Sequence, residues 1–115
     1  MTTENTKAVY ATDQNWDDLL AKTGVMLVDF SAEWCPPCRR LEPILHELAG
    51  DFAGAATVAT LDVEMNPAVT ARYNVRNMPT LLVFKDGQLV NRQVGFATKP
   101  VLAGLIESQL IASGL

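Results

Sequence analysis

The stretch VMLVDFSAEWCPPC, residues 25–38, decides the fold. Its first six residues are apolar except for Asp29, a pattern typical of a central β-strand that helices cover on both faces. Pro36 then predicts the start of a helix, because a proline in the first helical position gives up no hydrogen bond of the helix. The stretch therefore predicts a buried strand that leads straight into a helix, with Cys35 and Cys38 at the junction.

The two cysteines take defined positions in the predicted helix. Cys35 falls at the N-cap and Cys38 at the third helical position, so the Cys35 sulfur can accept a hydrogen bond from the Cys38 backbone N–H. The positive end of the helix dipole also favours a thiolate at Cys35, and the thiolate is the reactive form of cysteine. Cys38 lies one turn further along and is expected to be more enclosed. We therefore predict that Cys35 is a nucleophile and that Cys38 resolves its mixed disulfides.

Two other uses of the cysteine pair fit the sequence less well. A structural disulfide over so short a loop restrains the unfolded chain very little. A zinc site needs about four ligands, and the chain has two cysteines and one histidine. That histidine, His46, follows Cys38 on the same predicted helix, roughly 12 Å along its axis. We predict no metal site, and we expect His46 to be a solvated surface residue.

Apolar residues at helical spacing predict one helix on each side of the strand. Thr12 or Asp13 caps the first, which ends at Gly24. Its apolar positions are Trp16, Leu19 and Leu20. The second follows the cysteines, and Pro43 is expected to kink it because proline removes a helical hydrogen bond. Its apolar positions are Leu41, Ile44, Leu45, Leu48 and Phe52. Residues 1–7 are mostly polar, and we expect them to be frayed.

A second strand and a short helix follow. Residues 57–63 form the strand, and the helix is capped by Asn66, opens with Pro67 and ends at residue 71 or 72. Two strands of one sheet that are joined by a helix are parallel, with a right-handed connection. The two strands on either side of the cysteine helix are therefore predicted to pair in parallel.

A hairpin and a last helix complete the chain. Strands over 80–84 and 88–94 flank Asp86-Gly87, which is the strongest short signal for a hairpin. Thr98 caps the final helix. Its buried positions are predicted to be Val101, Leu102, Leu105, Ile106 and Leu110. The hairpin adds antiparallel strands, so the sheet is mixed.

These elements predict an α/β fold in which a central mixed β-sheet is flanked by helices on both faces, a three-layer sandwich. The chain has 115 residues, about the size of one domain, so we expect 1–115 to form a single unit. In sheets of this kind, active sites lie at the carboxyl ends of the strands. The cysteines lie at such an end.

Charge and composition exclude several kinds of partner. The net charge is −4, which gives no support to nucleic acid or an anionic membrane surface as a ligand. No segment approaches the ~20 apolar residues that a helix needs to cross a bilayer, and the N-terminus lacks the pattern of a secretory signal. We therefore predict a cytoplasmic protein with no nucleic-acid or membrane partner.

Motifs beyond the cysteines establish a family resemblance. The segment over 28–38 is followed, in order, by Met78-Pro79-Thr80, Lys85-Asp86-Gly87 and Val94-Gly95. Taken together over residues 8–112, these motifs resemble the thioredoxin family. The resemblance implies the thioredoxin-like three-layer sandwich and dithiol–disulfide exchange, with Cys35 as the attacking thiol and Cys38 as the thiol that releases the mixed disulfide.

The resemblance also implies a docking groove for substrate beside the cysteine pair. Pro79 would be a cis proline packed against the pair, and Met78 would offer backbone hydrogen bonds to an extended substrate segment. Trp34 and Gly95 would line the shallow apolar groove. The implied substrates are proteins that contain disulfides.

Asp29 is a further candidate for catalysis. It is the one acid in an otherwise apolar strand, and burial without a partner raises the pKa of a carboxyl. A carboxylate that titrates near neutrality could accept the proton of Cys38 during resolution. The alternative is an aspartate at the end of a strand that reaches solvent.

Three residues depart from the pattern of the family. Thioredoxins usually have glycine where Pro36 stands, an aromatic residue where Ser31 stands, and often lysine where Thr60 stands. Pro36 and Pro37 are expected to tune the redox potential through the loop between the cysteines. Ser31 thins the packing beside the site, and Thr60 removes a possible cationic neighbour of Asp29.

The leading functional prediction is a general protein-disulfide reductase. It would act as a monomer, bind no cofactor, and be recharged by a thioredoxin-reductase-like flavoprotein that draws electrons from NADPH. One alternative is a disulfide oxidase or isomerase on the same fold. Another is a binding subunit of a larger complex in which the cysteine pair is redox-idle.

Overall fold

The structure, a computed structural model, describes residues 7–113. They contain five strands and four helices. In chain order they are β1 (Val9–Tyr10), α1 (Trp16–Ala21), β2 (Val25–Ser31), α2 (Pro36–Asp51), β3 (Ala56–Asp62), α3 (Pro67–Arg72), β4 (Thr80–Lys85), β5 (Gln88–Val94) and α4 (Lys99–Ser113). The predicted order is confirmed, with β1 as an added strand. β1 has two residues, too few for a hydrophobic period to reveal it. The expected fraying of 1–7 falls almost wholly outside the described residues.

The strands form one mixed sheet in the order β1-β3-β2-β4-β5. β2 pairs in parallel with β3 and antiparallel with β4, and β4 and β5 form the predicted hairpin. Its turn residues, Asp86 and Gly87, have φ values of 51° and 81°, and positive φ at both positions is what a tight two-residue hairpin requires. β2 therefore lies at the centre of the sheet, between its parallel and antiparallel parts.

Helices cover both faces of the sheet, and each face has its own apolar core. On one face α2 and α4 pack against the strands, and on the other α1 and α3 do so. Side chains of β2 alternate between the two cores, with Leu27 in the first and Met26 and Val28 in the second. The predicted three-layer α/β sandwich is confirmed. Asp29, two residues after Leu27, consequently faces α2.

The prediction that Asp13 caps α1 is wrong, whereas Thr12 caps the turn that leads into α1, since its Oγ1 accepts the Asn15 backbone N–H at 3.0 Å. Asn15 occupies the N-cap of α1, and its side-chain Oδ1 accepts the Thr12 backbone N–H at 2.7 Å. Asp13 instead caps α3: its carboxylate oxygens accept the backbone N–H groups of Ala68 and Val69 at 3.1 and 2.9 Å. The cap joins residues more than fifty positions apart, so no local sequence pattern could reveal it.

Two other side chains differ from prediction. His46 is half-buried, and its Nδ1 accepts the backbone N–H of Ala8 at 3.1 Å, because the residue before β1 lies against α2. Val101 was predicted to be buried but is 48% exposed. α4 packs on the sheet through a narrower stripe centred on Leu102 and Ile106, both fully buried.

Two expectations concern the helices: a kink at Pro43 and the lack of a membrane-spanning segment. α2 continues through Pro43 to Asp51, and the kink at Pro43 stays a prediction. None of the helices between residues 7 and 113 is both long enough and apolar enough to cross a membrane.

Candidate active site

The cysteines lie where β2 leads into α2. Cys35 is the N-cap of α2, Pro36 is its first residue, and the Cys35 Sγ accepts the Cys38 backbone N–H at 3.3 Å. These positions are the predicted ones. Cys35 and Cys38 are joined by a disulfide, with their Cα atoms 5.3 Å apart. The Cys35 sulfur therefore lies at the positive end of the helix dipole and accepts the N–H of Cys38, which stabilises the thiolate when the disulfide is reduced.

Burial does not separate the two cysteines as the sequence predicts. Cys35 is 3% exposed and Cys38 is 2% exposed, so the expectation of a clearly more enclosed Cys38 is wrong. The neighbours of the two residues differ instead. Cys35 meets the loop before β4, whereas Cys38 lines a polar pocket beneath α2.

The loop before β4 brings three of the predicted groove residues together at Cys35. The Met78–Pro79 peptide is cis, as the resemblance implies, and the carbonyl oxygen of Met78 lies 3.6 Å from the Cys35 Sγ. The backbone N–H of Gly95 donates to the carbonyl of Pro79 at 2.8 Å. Trp34 precedes Cys35 in the chain and is 62% exposed, so it offers a large apolar surface beside the disulfide.

The exposed residues on either side of Gly95 were not predicted as part of the groove. Val94 is 53% exposed and Phe96 41% exposed, and the guanidinium of Arg40 lies 5.6 Å from the centre of the Phe96 ring. Exposed apolar side chains on both sides of Gly95 extend the apolar surface near the loop before β4. The only signal in the sequence was their adjacency to Gly95.

Asp29 is buried beneath α2. It is 1% exposed, and its Oδ1 has no hydrogen-bond partner. Burial, and to a lesser extent the negative charge of Glu42, raises the pKa of Asp29 to about 7. The alternative of an aspartate that reaches solvent is wrong. A carboxyl with this pKa can both take and release a proton at neutral pH.

A polar pocket of about 380 Å³ opens beside Cys38. It lies between α2 and the strands on the side of β3 and β1. Its lining residues are Tyr10, Ser31, Ala32, Glu33, Cys38, Arg39, Glu42, Thr60 and Asp62. Sequence analysis missed Glu42, although its position four residues after Cys38 places both on one face of a helix.

A metal site needs several ligand side chains close together. Over residues 7–113 no group of three or more histidine, cysteine, aspartate or glutamate side chains is arranged to hold a metal ion. The Nδ1 of His46, the one histidine of the chain, accepts the backbone N–H of Ala8.

Comparisons with known proteins agree with this geometry. The family model described as Thioredoxin matches residues 7–108. A thioredoxin of Staphylococcus saprophyticus is 50% identical over 102 residues, which cover 89% of this chain and 97% of that protein. A thioredoxin of Staphylococcus aureus is 47% identical over 102 residues, which again cover 89% of this chain and 97% of that protein. The solved structure of a mutant thioredoxin from Halobacterium salinarum NRC-1 has a TM-score of 0.85 at 38% identity, and covers 92% of this chain and 93% of its own.

An N-cap cysteine that forms a disulfide with a cysteine one turn later is suited to pass two electrons to other disulfides. The class so defined is that of the protein thiol–disulfide oxidoreductases. The comparisons narrow the class: the chain belongs to the thioredoxin family. Its activity is the reduction of protein disulfides by dithiol–disulfide exchange.

Proposed function

We propose that Cys35 is the attacking thiol of a protein-disulfide reductase, that Cys38 resolves the mixed disulfide, and that Asp29 accepts the Cys38 proton. The N-cap position of Cys35 is the single observation that carries this assignment of roles. It places the Cys35 Sγ, and not that of Cys38, at the start of α2, where it accepts the backbone N–H of Cys38.

The first step uses the Cys35 thiolate. Its sulfur attacks one sulfur of the substrate disulfide, and the substrate S–S bond breaks. One substrate sulfur leaves with the electron pair as a thiolate, and the other stays bound to Cys35 as a mixed disulfide. The helix N-terminus stabilises the attacking thiolate by its dipole and by the hydrogen bond from Cys38.

The second step uses Cys38 and Asp29. The Cys38 thiol loses its proton to an Asp29 oxygen, and the Cys38 thiolate attacks the Cys35 Sγ. The bond between Cys35 and the substrate sulfur breaks, the substrate leaves as a thiolate, and the Cys35–Cys38 disulfide forms. Two electrons have then passed from the dithiol to the substrate. The pKa of Asp29, raised to about 7 by burial and by the charge of Glu42, supports this role, because a base of that strength is still partly ionised at neutral pH.

Substrate is proposed to dock at the loop before β4. An extended segment of the partner protein would take backbone hydrogen bonds from Met78, next to Pro79, and rest its apolar side chains against Trp34 and Gly95. The exposed surface of Trp34 and the short approach of the Met78 carbonyl to Cys35 support this placement. The hydrogen bonds of the proposed groove come from backbone, so the groove would accept substrate segments of many sequences.

The loop between the cysteines is proposed to tune the redox potential. Pro36 has no N–H that could turn toward the Cys35 sulfur, and Pro36 with Pro37 reduces the conformational freedom of the open, dithiol form. Both effects disfavour the reduced state relative to the disulfide. The chain would therefore be a stronger reductant than a variant with glycine at residue 36.

The wider cycle is proposed from the family. A thioredoxin-reductase-like flavoprotein would return electrons from NADPH to the Cys35–Cys38 disulfide, so the chain itself would need no bound cofactor. The protein would work as a monomer in the cytoplasm. Purified flavoprotein reductase and NADPH, supplied together, should reduce the disulfide.

Reduction of insulin tests the reductase proposal directly. With dithiothreitol as electron donor, the wild-type protein should speed the cleavage of the interchain disulfides well beyond dithiothreitol alone. Cys35→Ser is the matched control and should give no acceleration. A wild-type protein that adds nothing to the rate with dithiothreitol would contradict the proposed function.

A further inference from the structure

A row of side chains crosses the sheet beneath α2. Asp29 in β2 is in register with Thr60 in β3, which is in register with Tyr10 in β1. Residues in register on adjacent strands lie about 5 Å apart on the same face of the sheet. Ser31 follows Asp29 by two residues and shares its face as well. Asp29 therefore has Thr60 beside it across the sheet and Ser31 beside it along the strand.

The pocket beside Cys38 lies above this row. Tyr10, Ser31 and Thr60 line it from the strands. Ser31 and Thr60 stand where thioredoxins usually have an aromatic residue and often a lysine. Two small side chains in place of two large ones leave the space open on both sides of Asp29. Only the side chains next to Asp29 therefore separate its carboxyl from the polar pocket.

Glu42 lines the same pocket from the helix side. It is four residues after Cys38, and residues at this spacing lie about 6 Å apart on one face of a helix. Glu42 is exposed, whereas Asp29 is closed off and has an unpartnered oxygen. The pocket therefore joins the resolving thiol, an exposed acid and the surroundings of the buried acid.

We propose that Glu42 is a positioning residue of this site, which acts on Asp29 across the pocket and governs when that carboxyl is free to take the proton of Cys38. The inference rests on the proposed role of Asp29. Because a negative charge nearby opposes the ionisation of a carboxyl, Glu42 raises the pKa of Asp29 beyond what burial does alone.

Other charged or titratable side chains of the pocket are Tyr10, Glu33, Arg39 and Asp62. Of all the groups that line it, Glu42 is the one whose charge raises the pKa of Asp29. Glu33 precedes the cysteines in the loop after β2, and the Arg39 guanidinium donates to its backbone carbonyl at 3.4 Å. Glu33 therefore supplies a matched control, with the same charge in the same pocket.

The pH dependence of resolution tests the proposal. Reduced protein is mixed with Ellman's reagent, dithiobis(nitrobenzoate). One thionitrobenzoate is released when Cys35 attacks, and the second when Cys38 resolves the mixed disulfide. The rate of the second release is measured from mildly acidic to mildly alkaline pH. In Glu42→Gln the midpoint of this profile should move to lower pH, so that resolution in mildly acidic solution becomes severalfold faster. Glu33→Gln should leave the midpoint in place.

A second readout does not depend on turnover. Titration of the Asp29 carboxyl carbon by NMR, in the oxidised protein, should follow the same order: a lower midpoint in Glu42→Gln and the wild-type midpoint in Glu33→Gln. Glu42→Asp retains the charge and should keep the midpoint close to that of the wild type. In an Asp29→Asn background, Glu42→Gln should have no further effect on the resolution profile.

The outcomes separate this inference from the proposed function. No second release in the wild-type protein refutes the reductase mechanism itself. A normal second release whose midpoint is the same in wild type and Glu42→Gln overturns the role of Glu42 alone. Equal shifts in Glu42→Gln and Glu33→Gln also overturn it, because the effect would then belong to the net charge of the surface.

Discussion

The two cysteines lie three positions apart at the start of one helix, yet their surroundings are built differently. Around Cys35 the contacts come from backbone: the N-cap geometry, the Met78 carbonyl and the cis peptide before Pro79. Beside Cys38 a polar pocket is lined by side chains of α2 and the strands, and Asp29 is buried on the same face of the sheet. Backbone contacts survive most substitutions, whereas side-chain contacts change with every replacement. The Cys35 side is accordingly the part that tolerates substitution of its neighbours best.

The Cys38 side is the part in which replaced side chains act directly. Ser31 and Thr60, two of the three departures from the family pattern, both line its pocket. We therefore expect attack by Cys35 to be that of an ordinary family member, and resolution by Cys38 to have its own pH dependence. The four predictions below test this division, from the largest expected effect to the smallest.

Removal of either sulfur should have the largest effect. Cys35→Ser should abolish reductase activity, whereas Cys38→Ser should still attack substrates and trap them as stable mixed disulfides. In the reduced wild-type protein, iodoacetamide at neutral pH should label Cys35 much faster than Cys38, because only Cys35 lies at the helix N-cap. Mass spectrometry of trapped complexes and labelled peptides measures both. Equal labelling of the two thiols would contradict their assigned roles.

Asp29→Asn should stabilise the protein above neutral pH. The pKa of Asp29 is raised from 3.8 to about 7, so the folded protein holds this proton where the unfolded chain has lost it. The free energy of unfolding therefore falls as pH rises from about 4 to about 7, by an amount on the order of 4 kcal/mol. Asparagine does not ionise and escapes this loss. Resolution of mixed disulfides should meanwhile become slower, because the base is gone.

Denaturant unfolding of the oxidised proteins at several pH values measures the stability change. The two curves should converge in acid, where Asp29 is neutral in both states, and separate above neutrality. Asp18→Asn, which removes an exposed carboxyl from α1, serves as the control and should run parallel to the wild type. A constant offset between Asp29→Asn and wild type at every pH would show that Asp29 is not buried as an acid.

Thr60→Lys should make the Cys38 side resemble the family. A lysine at this position places a cation next to Asp29 in the register of β2 and β3, which lowers the pKa of that carboxyl. The pH midpoint of mixed-disulfide resolution should fall, while the rate of attack by Cys35 changes little. Thr60→Met fills a similar volume without charge and should leave the midpoint where it is. If methionine and lysine act alike, packing and not charge controls the step.

Pro36→Gly should have the smallest effect and tests the Cys35 side. Glycine restores an N–H near the Cys35 sulfur and frees the loop, and both changes favour the dithiol. The potential should become less reducing, and each 30 mV corresponds to about 1.4 kcal/mol for this two-electron couple. Equilibration of both proteins in one glutathione buffer measures the difference. A glycine variant that is the stronger reductant would show that strain in the closed ring governs the loop.

Much of the fold was predictable because its signals are local. The apolar run of β2, the proline after Cys35 and the Asp86-Gly87 turn each specify structure within a few residues. The N-cap position of Cys35 follows from the same local reasoning. Asp29 in β2 was also recognisable as a candidate catalytic residue, because a single acid in an otherwise apolar strand is expected to be buried.

The remaining features depend on contacts between distant segments. Glu42 becomes important only when β2 passes beneath α2, and His46 meets Ala8 only when the start of the chain lies against that helix. Strand β1 is too short to show a period, and it is stabilised by its pairing with β3. Residues of this kind are identified by the register of the sheet, which the sequence alone does not reveal.

The cap that Asp13 supplies to α3 has a consequence for how the protein opens. Asp13 also donates its backbone N–H to the Asn66 side chain at 2.9 Å, so the start of α3 is fastened to the segment before α1. Both helices have six residues, far below the length at which an isolated helix persists in water. Neither helix can therefore fray independently for long, and their amide protons should exchange with solvent in one shared opening event. The face opposite α2 and α4 would thus behave as one cooperative unit in hydrogen exchange.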